Sequence, residues 1–245
     1  MSTAYFDFQP ELRCFLPHNK RNVTVALGFK GRQTIKHLVE SLGVPHTEVG
    51  QVTANGQARG LDSVPHNGDR IEVRPAAPGC PVEPRFLLDS HLGRLAAHLR
   101  MSGFDCLYDN DYHDERISEI LTDDPRILLT RDRRLLMRKV VQYGYCLRSL
   151  EPQEQLVEVV RRFDLANKIT PLHRCLRCNH PLQPVSKETV LDRLEPLTKL
   201  YFDEFHLCPA CDQVYWKGSH VARMEKLIES VSGSSKSYHK GISNG

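Results

Sequence analysis

The chain has 245 residues, 40% apolar and 26% charged, with 33 basic and 30 acidic side chains for a net charge of +3. That composition is that of a folded globular protein, with length for two or more domains, and it argues against a disordered chain. No apolar run reaches the ~18–20 residues of a bilayer span, so no membrane partner is expected.

Ala4–Phe8 and Val23–Leu27 alternate apolar and polar residues and predict strands. Thr34–Leu42 predicts a helix, because Ile35, Leu38, Val39 and Leu42 fall on one face and Gly43 ends it. Val49–Thr53 and Arg70–Arg74 predict strands, with turn signals at Asn55-Gly56 and Asn67-Gly68-Asp69. One helix with about four strands predicts a small α+β domain over 1–76. Four prolines between Pro75 and Pro84 mark a linker, 77–84.

Beyond the linker the pattern alternates. Phe86–Leu88, Cys106–Tyr108, Ile127–Thr130 and Tyr145–Leu147 predict strands. Between and after them, stripes at Leu92–Leu99, Ile117–Leu121, Leu135–Val140 and Leu156–Phe163 predict helices. A βαβαβαβα order over 85–168 argues for a parallel sheet with helices on both faces. The tail from Ser232 lacks apolar content and is expected to be disordered.

In a parallel sheet all strand C-termini share one edge, where ligands bind. Asp89 ends the first of these strands, Asp114 opens the helix after the second, and Asp132 follows the third. Such carboxylates can converge on Mg²⁺ or Mn²⁺, which activate water and offset phosphate charge. Each acid could equally cap a helix. Arg131, Arg133, Arg134, Arg138 and Lys139 surround the third acid, either as phosphate contacts or as a solvated face.

Cys175/Cys178 and Cys208/Cys211 form two CxxC pairs 29 residues apart, the spacing of a four-thiolate structural Zn²⁺ site with an inserted hairpin or helix. The opening MSTAYFDFQPELR lacks the basic-then-apolar layout of a secretory signal. A cytoplasmic location with reduced thiols is the resulting expectation. Tyr215 and Trp216 either stack on bases or pack the zinc region; Lys217 and His220 are further candidates for phosphate.

Phe86-Leu-Leu-Asp89, His91-Leu-Gly-Arg-Leu-Ala96, Gly103-Phe-Asp105, Ile127-Leu-Leu-Thr-Arg-Asp132, the two CxxC pairs and Tyr215-Trp-Lys-Gly-Ser-His220 together resemble the Mut-seven C-terminal RNase family. That family is similar to PIN-domain nucleases and carries a zinc ribbon at its C-terminal side. Residues 4–74, including Gly43-Val-Pro-His-Thr-Glu-Val49, resemble the ubiquitin-like β-grasp domain that precedes it in bacterial members. The resemblance implies an α/β fold in three parts: a ubiquitin-like β-grasp domain, a PIN-like parallel-sheet domain over 85–168 and a zinc ribbon region over 169–230, before a tail at 231–245. It implies a metal-dependent ribonuclease with Asp89, Asp114 and Asp132 as catalytic acids, in which Arg131 and Arg133 position phosphate. PIN enzymes often carry another Asp where this chain has Arg134, and Glu119 or Asp124 are the candidates to replace it. RNA is the expected partner, with a protein partner possible through the β-grasp domain. The competing reading is a non-catalytic RNA-binding or adaptor protein with a degenerate nuclease site.

Overall fold

A computed structural model describes residues 1–218 and Lys226. His220 and the tail from Ser232 lie outside the described residues. The chain divides into two compact units, one of residues 1–77 and 113–147, the other of 78–112 and 148–245.

In the first unit, β1 (Ser2–Phe8), β2 (Val25–Phe29), β3 (Val49–Ala54), β4 (Gln57–Arg59) and β5 (Arg70–Pro75) form a sheet in the order β2-β1-β5-β3-β4. The central pair β1/β5 is parallel, with Tyr5 opposite Arg70 and Phe8 opposite Val73; the other pairs are antiparallel. The period-two pattern buries one face, with Ala4, Phe6, Phe8, Ile71 and Val73 in the core. Helix α1 (Ile35–Ser41) adds Ile35, Leu38 and Val39 to it. The Thr34 hydroxyl caps α1 by accepting the His37 amide at 3.3 Å. Gly43, at φ 95°, ends that turn so close to the chain that a Cβ would stand 2.9 Å from the Phe15 carbonyl oxygen.

The β3–β4 turn uses Asn55 and Gly56, both at positive φ, as a tight two-residue hairpin requires. Strand β4 is an addition to the sequence-based elements. Gln57, Ala58 and Arg59 are all exposed and carry no apolar alternation to betray a strand.

Residues 113–147 add α3 (Asp114–Asp123), β8 (Ile127–Thr130), α4 (Arg133–Leu136) and β9 (Tyr143–Cys146), with β8 and β9 parallel. Helix α4 stops at Leu136, with its cap at Met137, and does not reach Val140. Side chains tie this segment to 1–77. Buried Glu48 accepts the Cys146 amide at 2.6 Å, and His46 Nε2 lies 2.8 Å from the Val141 carbonyl oxygen.

In the second unit, β6 (Arg85–Leu88) and β7 (Asp105–Leu107) pair in parallel, and α2 (Gly93–Met101) packs on α5 (Pro152–Arg162). Phe86 meets Phe104 and Phe163 edge-on at 5.9 Å. Gly103, at φ 94°, is needed after α2 because a Cβ there would fall 2.1 Å from the Thr170 carbonyl oxygen. The C-terminal part is a three-stranded antiparallel sheet of β10 (Gln183–Val185), β11 (Phe205–Leu207) and β12 (Val214–Trp216). The expected insertion between the CxxC pairs includes α6 (Lys187–Val190) and α7 (Pro196–Tyr201). Val190, Leu194, Phe205 and Val214 form its small core. Among the described residues no helix is long and apolar enough to cross a membrane.

The fold is therefore mixed α/β: a β-grasp region, parallel strand pairs alternating with helices, and a cysteine-bearing antiparallel ribbon.

Candidate metal centre and carboxylate sites

The two CxxC pairs come together. The ligand atoms of Cys175, Cys178, Cys208 and Cys211 all lie within 4.8 Å of one another. Cys175 and Cys211 sulfurs are 3.5 Å apart, and those of Cys178 and Cys208 are 3.4 Å apart. Tetrahedral Zn²⁺ with Zn–S near ~2.3 Å needs sulfurs about 3.8 Å apart. The thiols fit zinc with a small expansion, and four sulfur donors leave no open position.

Local backbone geometry builds this centre twice. After the first pair, Asn179 at φ 66° donates its amide to the Cys175 carbonyl at 3.0 Å. After the second, Asp212 at φ 57° repeats the turn onto the Cys208 carbonyl at 2.9 Å. Both residue types tolerate left-handed backbone. Burial pushes the Cys175 thiol up, but the Tyr215 hydroxyl, 3.1 Å from its sulfur, and the Cys178 amide outweigh that and bring it to about 6. Burial and the neighbouring thiols drive Cys211 up to about 12. Crowded thiols cannot all ionise without a cation, so metal entry releases protons.

The aromatic residues of β12 serve the ribbon. The Tyr215 hydroxyl also receives the Leu176 amide at 3.2 Å. Trp216 packs against Phe202 and Phe205, with ring centres 6.4 Å away in each case.

The first cysteine turn is fastened to β7 by buried polar groups. Asn179 Oδ1 accepts the Cys106 amide at 3.0 Å while its Nδ2 donates to Asp105 at 2.7 Å. Buried Arg100 donates to the carbonyls of Cys106, Leu176 and Arg177. Sequence reasoning assigned neither residue this role. The only local sign was an Asn directly after a CxxC pair, since Arg100 lies 76 positions from Leu176.

The three predicted acids stand in different settings. Asp89, half-buried, follows β6 and lies near the Ser90 hydroxyl at 3.4 Å. Leu92, rather than Asp89, occupies the cap position of α2. His91, two residues on, holds φ 80°, an uncommon backbone state for a side-chain-bearing residue. Tyr108, beyond β7, sits over Gly93, where a Cβ would be 2.8 Å from its hydroxyl. Burial, then the charge of Asp109 and more weakly that of Asp89, pushes the Tyr108 phenol up.

Asp114 is the first residue of α3, after His113 at the cap position. Arg138 reaches its carboxylate at 2.8 Å and also donates to the Ser118 hydroxyl and the Asp114 carbonyl. This pairing spans 24 residues and has no local sequence sign.

Asp132 is set by a double turn at the end of β8. Its amide donates to the buried Thr130 hydroxyl at 2.9 Å, and its Oδ1 accepts the Arg134 amide at 2.7 Å. The residue does cap α4, as one sequence reading allowed. Its second oxygen accepts no hydrogen bond among the described residues, so capping leaves it available as a ligand. The flanking cations Arg131, Arg133 and Arg134 are all exposed. Arg133 donates to the Phe15 carbonyl at 2.9 Å and lies over the Phe15 ring, 5.0 Å from its centre.

Comparisons with known proteins divide the chain in two. Residues 84–228 match the family model described as the Mut7-C RNAse domain, and residues 1–79 match the one described as Mut7-C ubiquitin. A crystal structure of small archaeal modifier protein 1 from H. volcanii is similar at 17% identity and TM-score 0.26, over 31% of this chain and all of that one. No curated protein matches the chain.

Proposed function

The chain belongs to the family of Mut7-C RNAse domains with an N-terminal Mut7-C ubiquitin domain, and from that premise we propose that it hydrolyses RNA phosphodiesters with divalent metal. Asp89, Asp114 and Asp132 are the proposed metal-holding carboxylates. Hard oxygen donors suit Mg²⁺ or Mn²⁺. Bound there, such an ion would lower the pKa of water and offset phosphate charge.

The observation that carries the reading is the setting of Asp132. Thr130 and Arg134 orient it at the C-terminal end of a parallel strand, while among the described residues one carboxylate oxygen accepts no hydrogen bond. A carboxylate so held needs little reorganisation to meet a cation. Arg131 and Arg133 flank it and supply positive charge for the substrate phosphate. Arg138 holds the Asp114 carboxylate in one orientation and yields it when a divalent ion competes. The four thiols hold structural zinc, and the β-grasp region is a candidate for recognising a protein partner.

The test is cleavage of end-labelled single-stranded and structured RNAs by zinc-loaded protein, with Mn²⁺, with Mg²⁺, or with neither. Asp89→Asn and Asp132→Asn are assayed alongside. Loss of a metal-dependent activity in both variants supports the proposal. Persistent RNA binding with no cleavage under any condition favours the adaptor reading.

A further inference from the structure

Beside Asp132, within the first unit, lies a cleft of about 670 Å³. One wall carries Arg131, Asp132, Arg133 and Arg134; the other carries Glu40 and Gly43 at the end of α1. Its volume falls in the range of pockets that take ligands of nucleotide size, ~300–1,000 Å³.

The cations on these walls are not equivalent. Arg133 is anchored, with Nη1 on the Phe15 carbonyl and its guanidinium over the Phe15 ring. It contributes charge from a fixed place and holds the wall against residues 14–15. Glu40 is turned to His46, whose Nδ1 is 2.7 Å from its Oε1. Asp132 spends Oδ1 on the Arg134 backbone amide, not on a guanidinium. Among the described residues the side chains of Arg131 and Arg134 have no hydrogen-bond or ion-pair partner.

Two unspent guanidinium groups on one wall repel each other and keep their forked donors in water. An anion with several oxygens relieves the repulsion and fills the forks, and phosphate matches their geometry. A metal ion on Asp132 would leave the forked donors of Arg131 and Arg134 unfilled.

We propose that Arg131 and Arg134 clamp one phosphodiester of single-stranded RNA in this cleft, next to the bond presented to Asp132. The proposal rests on the ribonuclease reading and adds Arg134 as a substrate-binding residue. Arg133 sets the wall and lends charge without changing partners.

The test reads binding alone. Full-length zinc-loaded protein, without added Mg²⁺ or Mn²⁺, is titrated against a fluorescein-labelled ten-nucleotide single-stranded RNA by anisotropy, from 50 to 200 mM salt. Each phosphate contact on a single strand contributes about 0.7 to the slope of log affinity against log salt. Because both arginines meet the same phosphate, the double variant should lower the slope by about 0.7, and Arg131→Ala and Arg134→Ala should each lower it by less. Arg134→Lys, which keeps the charge, should retain the slope. Arg59→Ala, on exposed β4 outside the cleft, should match the wild type.

An unchanged slope in the double variant, with its thermal midpoint intact, overturns the clamp. So does an equal fall with Arg59→Ala, which would mean diffuse attraction. Displacement of the RNA by a poly-glutamate peptide as readily as by unlabelled RNA also overturns it, in favour of an acidic protein segment as the occupant. Because no hydrolysis is read here, the expected slope loss combined with no cleavage in the separate Mn²⁺ and Mg²⁺ assay would retain the clamp and reject the ribonuclease reading.

Discussion

Asn179→Ala tests whether the zinc ribbon holds the edge of β7. The native side chain is buried and makes two bonds, one from the Cys106 amide at 3.0 Å and one to Asp105 at 2.7 Å. Truncation strands a buried backbone donor, which costs about 1–3 kcal/mol. It also places Ala at φ 66°, a left-handed position that costs a further ~1 kcal/mol. The expected loss is about 3 kcal/mol in local stability. Asn179→Gly removes the same bonds without the backbone penalty and should lose about 1 kcal/mol less. Native-state hydrogen exchange of the Cys106 amide reads this locally, and zinc content confirms that the thiols remain loaded. The reasoning is refuted if Cys106 exchange is unchanged in the Ala variant, or if Gly and Ala behave alike.

Other predictions concern the remaining ties of each unit. Removing zinc should disorder the ribbon. The single Trp of the chain, Trp216, packed on Phe202 and Phe205, reports it as a red-shifted emission that reverses on zinc addition. Glu48→Ala should lower the stability of the first unit by about 2–3 kcal/mol, because it orphans the buried Cys146 amide; a chemical-denaturation midpoint within error of wild type would contradict this. Asp69 should stabilise the first unit in neutral solution and not in acid. Burial raises its pKa, but the His66 amide and the Asn55 side chain outweigh this and hold it below its ordinary 3.8. The native state therefore prefers the charged form, and the contribution is complete above the ordinary value and lost as pH falls through the lowered one. The midpoint gap between wild type and Asp69→Asn should accordingly shrink on acidification; a gap independent of pH would refute the assignment.

Much of the fold was legible because its elements carry their own periodicity. Ile127–Thr130 is a fully buried strand with the bounds the apolar run suggested, and α1 starts at its Thr34 cap. The CxxC spacing announced the sulfur cluster for the same local reason: four residues suffice to make each turn. Exposed β4 was not legible, since a strand without a buried face leaves no pattern. Val140 was drawn into a helix by its apolar character although α4 ends at Leu136.

The candidate site divides along the same line. Thr130 and Asp132, two residues apart, lie within the Ile127–Asp132 run that carried part of the family resemblance. The partners that set the site's electrostatics are distant in sequence: Arg138 from Asp114 by 24 residues and Arg133 from Phe15 by 118. Arg133, expected from sequence as a phosphate contact or as part of a solvated face, has a further task that no local pattern indicates.

The most direct measurement of the central claim is oxygen-isotope labelling of the cleavage product in H₂¹⁸O. Zinc-loaded wild type and Asp132→Asn would be compared with and without Mn²⁺, on RNA and on the same strand carrying a 2′-deoxy residue at the cut. The account predicts one ¹⁸O in the product phosphate, cleavage of both strands, dependence on Mn²⁺, and loss in Asp132→Asn. A 2′,3′-cyclic phosphate without label, formed equally without Mn²⁺ and absent from the 2′-deoxy strand, would contradict it.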